Sequence, residues 1–285
     1  MSKVIISGVG LIGGSIALKI KQQKLFNEVV GIARPGGTNL KPFVKSGMLD
    51  RISMCIEEEI RDADLVILAS PVAQIEQTFQ VITPHLGSKT LITDVGSTKK
   101  NIMMSAKKGL KNKHHQFVGS HPIAGSEKHG PDSAQIDLFL KKNIIVTPFQ
   151  KTPLKNINTI KKFWHAIGGK TTVLDAKTHD QIFSTVSHLP HMLAFGLVNQ
   201  ILRDKNKKLM LNFAASGFRD FSRIAASSPE VWRDICIANR SSLITDLKKF
   251  QSQIDKMISL IEKNDEKKLL NYLNDASKTR QEWSE

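Results

Sequence analysis

Cysteine is nearly absent: the 285-residue chain holds only Cys55 and Cys236, far apart and without metal-ligand spacing. That excludes a disulfide framework and fits a reducing compartment. Aromatic residues make up 6% of the chain, too few for the interleaved basic and aromatic surface of a nucleic-acid binder. Long apolar runs are missing as well. Segments such as 65–69 and 144–146 are far short of the ~20 residues that span a bilayer. The N-terminus enters a β-rich run by Val4, without the charged-then-apolar layout of a secretory signal. A cytoplasmic protein with no membrane segment is expected. Acidic residues are scarce too, 26 against 41 Lys and Arg, for a formal net charge of +15. The lysines are spread as pairs, Lys107-Lys108, Lys141-Lys142, Lys161-Lys162, Lys207-Lys208 and Lys267-Lys268. A dispersed positive field draws small anions rather than building a nucleic-acid footprint. The expected partner is a small-molecule substrate, with no nucleic acid.

What is present begins with Gly8-Val9-Gly10-Leu11-Ile12-Gly13, between a β-rich run at 3–7 and helical periodicity at 14–23. Gly8 permits a tight turn, Gly10 lets backbone approach a pyrophosphate, and Gly13 lets the helix pack on the sheet. The helix N-terminus then faces the phosphates. Gly8, Gly10, Leu11, Ile12 and Gly13 are therefore expected to hold a dinucleotide. An acid that would bond the ribose 2′-hydroxyl is expected about 20 residues further on, but Ala33 stands there, followed by Arg34. Arg34 can pair with a 2′-phosphate, which favours NADP over NAD; the alternative is a solvated turn residue. Ser70, Pro71 and Val72 follow the apolar run 65–69 and are expected to line the cofactor. Ser97 follows the run 90–94 and would reach the nicotinamide end, although Asp94 and Ser97 can also be read as a helix cap.

Further strand runs at 29–33, 117–119, 143–147 and 171–174 alternate with helical stretches, the pattern of parallel βαβ units. After Asp175 the apolar residues recur only at helical spacing, with helices expected over 178–203, 210–214, 229–264 and 266–282. The predicted fold class is α/β, with a Rossmann-like dinucleotide-binding domain at 1–175 and an all-helical domain at 176–285. Leu243, Leu247, Phe250, Ile254, Met257, Ile258 and Ile261 share one stripe, too apolar for water and suited to a homodimer.

A dehydrogenase needs a base for the hydroxyl proton while hydride leaves carbon, and histidine titrates near neutrality. His121 stands out because Pro122 and a small-residue segment between Gly119 and Gly125 hold it; His85, His114, His115, His165 and His179 read as surface or helix-end residues. His188 and His191 lie three apart around Pro190, either on the substrate side or packed at a kink, and no third ligand suggests a metal. Arg219, Asp220 and Arg223 form a carboxylate-binding candidate, with an internal ion pair as the competing reading.

In seven ordered segments, 8–15, 64–72, 93–99, 119–130, 187–191, 217–224 and 229–235, the chain resembles the prephenate dehydrogenase family, including its arogenate-using members. The resemblance implies oxidative decarboxylation of a cyclohexadiene acid in tyrosine biosynthesis, and it makes the helical end a dimerisation region. It implies that His121, assisted by Ser97, is catalytic and that Arg223 binds a substrate carboxylate. It places His191 near the substrate side chain, where a donor would suit the pyruvyl group of prephenate, and adds Asp220, Glu127 and Trp232 to the pocket. With no mutase segment before Met1 and no ligand-binding domain after Glu285, a monofunctional enzyme is expected. Arogenate as substrate and a non-catalytic NADP-binding sensor are the alternatives.

Overall fold

The computed structural model describes residues 2–34, 36–125 and 130–283. Its strands are β1 (Lys3–Ser7), β2 (Glu28–Ile32), β3 (Arg51–Ser53), β4 (Leu65–Leu68), β5 (Leu91–Asp94), β6 (Phe117–Pro122), β7 (Asn143–Thr147) and β8 (Lys170–Val173). They form one sheet in the order β3-β2-β1-β4-β5-β6-β7-β8. Pairing is parallel except between β6 and β7. The central strands are Val- and Ile-rich because both of their faces are covered. Alternating residues of β1 serve different cores. Val4 and Ile6 pack with Ile16, Ile20 and Trp164 on one face, while Ile5 packs with Phe79, Ile102 and Phe117 on the other.

Five helices accompany the first five strands: α1 (Leu11–Gln23), α2 (Lys41–Lys45), α3 (Ile56–Glu59), α4 (Val72–Ile82) and α5 (Lys100–Leu110). α6 (Leu154–Ala166) and α7 (Ala176–Phe183) follow, then α8 (Leu189–Leu202), α9 (Lys207–Asn212), α10 (Ser216–Ser222) and α11 (Pro229–Ala238). The chain ends in α12 (Arg240–Glu262) and α13 (Glu266–Trp283). It divides into two compact units, 1–240 and 241–285. In the second, α13 lies against α12: Tyr272 Oη donates to Gln253 (3.4 Å), and Lys256 Nζ sits 5.0 Å from the centre of the Tyr272 ring. Among the described residues no helix is long and apolar enough to cross a membrane.

The helical expectations need three adjustments. Residues 178–203 are helical as far as Leu202, but a π turn at Ser184–His188 is inserted between α7 and α8. Residues 229–264 break at Asn239, whose side chain donates to the Asp180 carbonyl (2.7 Å). The helix expected at 210–214 spans Lys207–Asn212, and α10 and the short strand β3 were not anticipated.

Strand order reverses direction between β1 and β4, so the loops after them flank one crevice, the place where ligands bind in such sheets. Gly8 sits there with φ +100°, and a Cβ on it would lie 2.5 Å from the Ala69 carbonyl carbon. On Gly13 a Cβ would lie 2.2 Å from the Gly8 carbonyl oxygen. Gly13→Ala should therefore push α1 off β1, costing about 1–3 kcal/mol by overpacking and loosening the dinucleotide loop. Chemical denaturation checks the first effect and cofactor titration the second. Unchanged stability and affinity would mean that α1 can shift without loss.

Candidate active site

Two recesses open at the carboxyl ends of the strands, both within the first compact unit. The smaller, about 410 Å³, is lined by Gly8, Ala33, Arg34, Ser70 and Gln74 among others. The larger, about 610 Å³, is lined by Leu11, Ile12, Ser97, His121, Phe183, His191, Arg223 and Trp232, with neighbouring residues. Both volumes are in the range of small-ligand sites.

The residues around the glycine loop fit a dinucleotide. Gly10 caps α1 without a side-chain hydrogen bond, which leaves first-turn N–H groups for an anion. A Cβ on Gly10 would meet nothing within 4 Å, so this backbone is open to a close-lying group. Ser70 Oγ is buried without a hydrogen-bond partner, as expected of a group awaiting a ligand. Arg34 is exposed at the end of β2 and donates to Gln74 Oε1, so the two side chains stand together in the smaller recess. Pro71 caps α4, and Val72 begins it, packed toward the core of that face. Pro35 lies outside the described residues.

His121 is carried by β6, where its backbone pairs with Ile145 of β7. The ring is buried against Phe183, 4.9 Å between centres, and against His179. His121 Nδ1 lies 2.8 Å from His179 Nε2, and His179 Nδ1 lies 2.8 Å from Asp180 Oδ1. Asp180 in turn accepts from the backbone N–H groups of Lys99 (2.7 Å) and Lys100 (2.9 Å). Burial holds the His121 imidazole well below the ordinary histidine range, and the nearby His179, Lys99 and His188 add to the effect. The ring is neutral. Below it Lys99, fully buried, donates to the Asp94 carboxylate and to the Ser120 carbonyl (2.7 Å). Asp94 accepts from Gly96 N (2.8 Å) and Ser120 N (3.0 Å) and so ties β5 to β6. The first N–H groups of α5 are taken by Asp180, while Asp94 accepts from Gly96 and Ser120, which sets aside the reading of Asp94 and Ser97 as its cap.

The helical wall presents His191, Arg223 and Trp232. The His191 ring stacks on Trp232 at 3.7 Å between centres and an interplanar angle of 21°. Its Nδ1 donates to the Ser187 carbonyl (2.8 Å), and burial lowers its pKa. A neutral His191 therefore has Nε2 only as an acceptor, not as the donor expected for a pyruvyl group. His188 also departs from its expected place on the substrate side. It is 1% exposed, receives the Asn239 amide at Nδ1 (3.2 Å), and burial drives its pKa to about 4. Both rings lie against Trp232, His188 edge-on at 6.1 Å between centres and His191 stacked, but only His191 lines the cleft. Asp220 is exposed on α10 and is not among the residues that line the cleft. Glu127 lies outside the described residues.

His179 and Asp180 are the residues that sequence reasoning missed. Its sequence context suggests a surface position for His179, yet it is 0% exposed. The available signal was the pairing of a histidine with the next-door acid at the start of the first helix after the sheet.

Comparison with known proteins agrees with this architecture. The family model for the prephenate dehydrogenase nucleotide-binding domain matches residues 16–173, and that for the prephenate dehydrogenase dimerization domain matches 175–275. Prephenate dehydrogenase of Bacillus subtilis is 35% identical over 97% of this chain and 75% of its own length. Cyclohexadienyl dehydrogenase of Zymomonas mobilis is 31% identical over 97% of this chain and 94% of its own. The crystal structure of prephenate dehydrogenase from Aquifex aeolicus, in complex with hydroxyphenyl propionate and NAD+, superposes with a TM-score of 0.90 at 30% identity, covering 99% of this chain and 98% of that one. With a nucleotide-binding half, a helical half and the matching order of both, the chain belongs to the prephenate dehydrogenase family and is an NAD(P)-dependent oxidoreductase.

Proposed function

We propose that this protein oxidatively decarboxylates prephenate to 4-hydroxyphenylpyruvate in tyrosine biosynthesis, as a cytoplasmic homodimer. The observation that carries the proposal is a neutral, buried imidazole, His121, sharing one cleft with the Arg223 guanidinium beside the glycine loop. Functionally the chain divides at residue 175 into a dinucleotide-binding part and a part for substrate and dimerisation. The exposed Ile254, Ile258 and Ile261 of α12, 39%, 48% and 64% accessible, support the dimer.

Bound NAD(P)+ supplies the hydride acceptor; Gly8, Gly10, Leu11, Ile12, Gly13 and Ser70 would hold it, with Ser97 at its nicotinamide end. His121 Nε2 accepts the proton of the ring hydroxyl, and the Ser97 hydroxyl steadies the same oxygen. Arg223 pairs with a substrate carboxylate, a task for a planar two-pronged donor. As hydride leaves the carbinol carbon, the oxygen becomes a carbonyl. The ring carboxylate then departs as CO2, and its bonding electrons make the ring aromatic. The resulting phenolate takes its proton back from His121, so the base ends the turnover as it began.

One observation favours arogenate as a second substrate. Neutral His191 offers an acceptor, and the ammonium of arogenate can donate to it, whereas the keto acid of prephenate only accepts. Assaying both substrates against both cofactors separates these readings. NADP is the proposed preference, supported by Ala33 in place of an acid and by Arg34 in the smaller recess.

Arg34→Ala should weaken NADP+ about tenfold or more relative to NAD+, the scale of one charge-assisted contact. Equal losses for the two cofactors would remove Arg34 from that role. Arg223→Ala should raise KM strongly, and Arg223→Lys should recover little of it; an unchanged KM in a folded Arg223→Ala protein would refute the assignment. His121→Asn should lower kcat by about 10²–10⁴ with binding preserved. Because a neutral imidazole is the active form and its pKa is depressed, the wild-type acidic limb of kcat should lie below the ~6.5 of free histidine and vanish in the variant. A limb that persists in His121→Asn at a measurable rate would assign the base elsewhere.

A further inference from the structure

We infer that His179 and Asp180 are positioning residues that fix the tautomer of His121, so that its lone pair stands on Nε2. The inference rests on His121 being the proton acceptor of the proposed reaction. The chain of reasoning starts at Asp180, 2% exposed and anchored by the Lys99 and Lys100 N–H groups at the start of α5. An ionised carboxylate only accepts, so His179 Nδ1, 2.8 Å away, carries a hydrogen. His179 is completely buried, and that burial lowers its pKa against the opposing pull of Asp180. The ring is neutral, and its Nε2 has a lone pair. The next contact is then settled: His121 Nδ1, 2.8 Å from that lone pair, must be the donor. A neutral imidazole has one N–H, which leaves His121 Nε2 unprotonated at the cleft.

Among the described residues, Asp94, Lys99, Asp180 and His188 are the groups around this pair that bear charge or titrate. Lys99 and His188 oppose a positive charge on His121. Asp180 is the nearest anion in the hydrogen-bonded chain, and it reaches His121 through His179. When His121 takes up the substrate proton, the new imidazolium donates through Nδ1 toward a histidine already polarised by a carboxylate. Without His179 the single N–H could sit on Nε2, where it would block the base.

The test compares His179→Phe, which keeps a ring but removes the acceptor, with His179→Gln, which keeps an acceptor oxygen. The Phe variant should lose about 10²–10⁴ in kcat, as for a base in the wrong protonation state. KM and cofactor affinity should stay within about twofold, and the Gln variant should regain at least tenfold of the lost rate. Nitrogen NMR of the wild-type ring should show Nδ1–H on His121, and the Phe variant should shift that hydrogen to Nε2. If His179→Phe does not fold, the wild-type tautomer decides: Nε2–H on His121 overturns the inference. A Phe variant with wild-type kcat, or a Gln variant no better than Phe, also overturns it. Loss of activity in His121→Asn alongside a fully active His179→Phe would leave the base assignment standing and reject only the relay. An active His121→Asn would reject the assignment itself and the inference with it.

Discussion

The ammonium of Lys99 is fully buried, and it is held by the Asp94 carboxylate and the Ser120 carbonyl. Around this pair the working parts of the site are arranged. Asp94 fixes the Gly96 turn and the backbone of Ser120, one residue before His121. The backbone of Lys99 fixes Asp180, at the far end of the histidine chain. One ion pair thus sets the end of β5, the middle of β6 and the start of the helical segment that supplies His179. Taking a buried pair apart from one side costs about 3–5 kcal/mol, because the remaining charge has no partner. Replacing both partners with apolar groups would avoid that penalty, yet it would release Ser120 and with it the strand that carries His121. The pair's value here is geometric as much as energetic.

The same charge has an electrical consequence. Burial lowers the pKa of Lys99 while Asp94 opposes the shift, and the Lys99 charge in turn helps keep His121 neutral. An exposed guanidinium draws anions, whereas burial keeps an imidazole neutral. Both occur in one cleft because Arg223 is exposed at its wall while His121 is shut in beneath it. The overall excess of positive charge adds a general attraction for small anions.

Much of this was legible in the sequence because it depends on local patterns. The glycine loop, the alternation of apolar strands with helices, and the change to helical spacing after Asp175 all follow from neighbouring residues. His121 was legible because proline and glycine around it restrict the backbone. His179 was not, because its role depends on burial by Phe183 and on a contact spanning 58 positions. Lys99 reads as one of many lysines until the fold encloses it. The π turn at Ser184–His188 and the break at Asn239 are not legible because apolar spacing continues across them. A π turn and an asparagine that bonds the Asp180 carbonyl are tertiary decisions, and they override periodicity there.

The placement of His121 on β6 follows from how that strand changes partners. Its first residues, Phe117 and Val118, pair in parallel with β5, and its last four pair antiparallel with β7. Gly119 stands at the change, where a Cβ would come within 2.3 Å of Thr147 Oγ1, so only glycine lets β7 approach. Beyond it, Ser120 is held from below by Trp164 Nε1 at 3.0 Å and by Thr93 Oγ1 at 2.8 Å. Side chains alternate along a strand, so with Ser120 directed into that buried network, His121 is directed to the opposite face, toward His179 and Phe183. An imidazole on a free loop would keep the freedom of its backbone. Here strand pairing and the buried polar network fix the backbone of His121, and the ring's remaining freedom is removed by the histidine beside it.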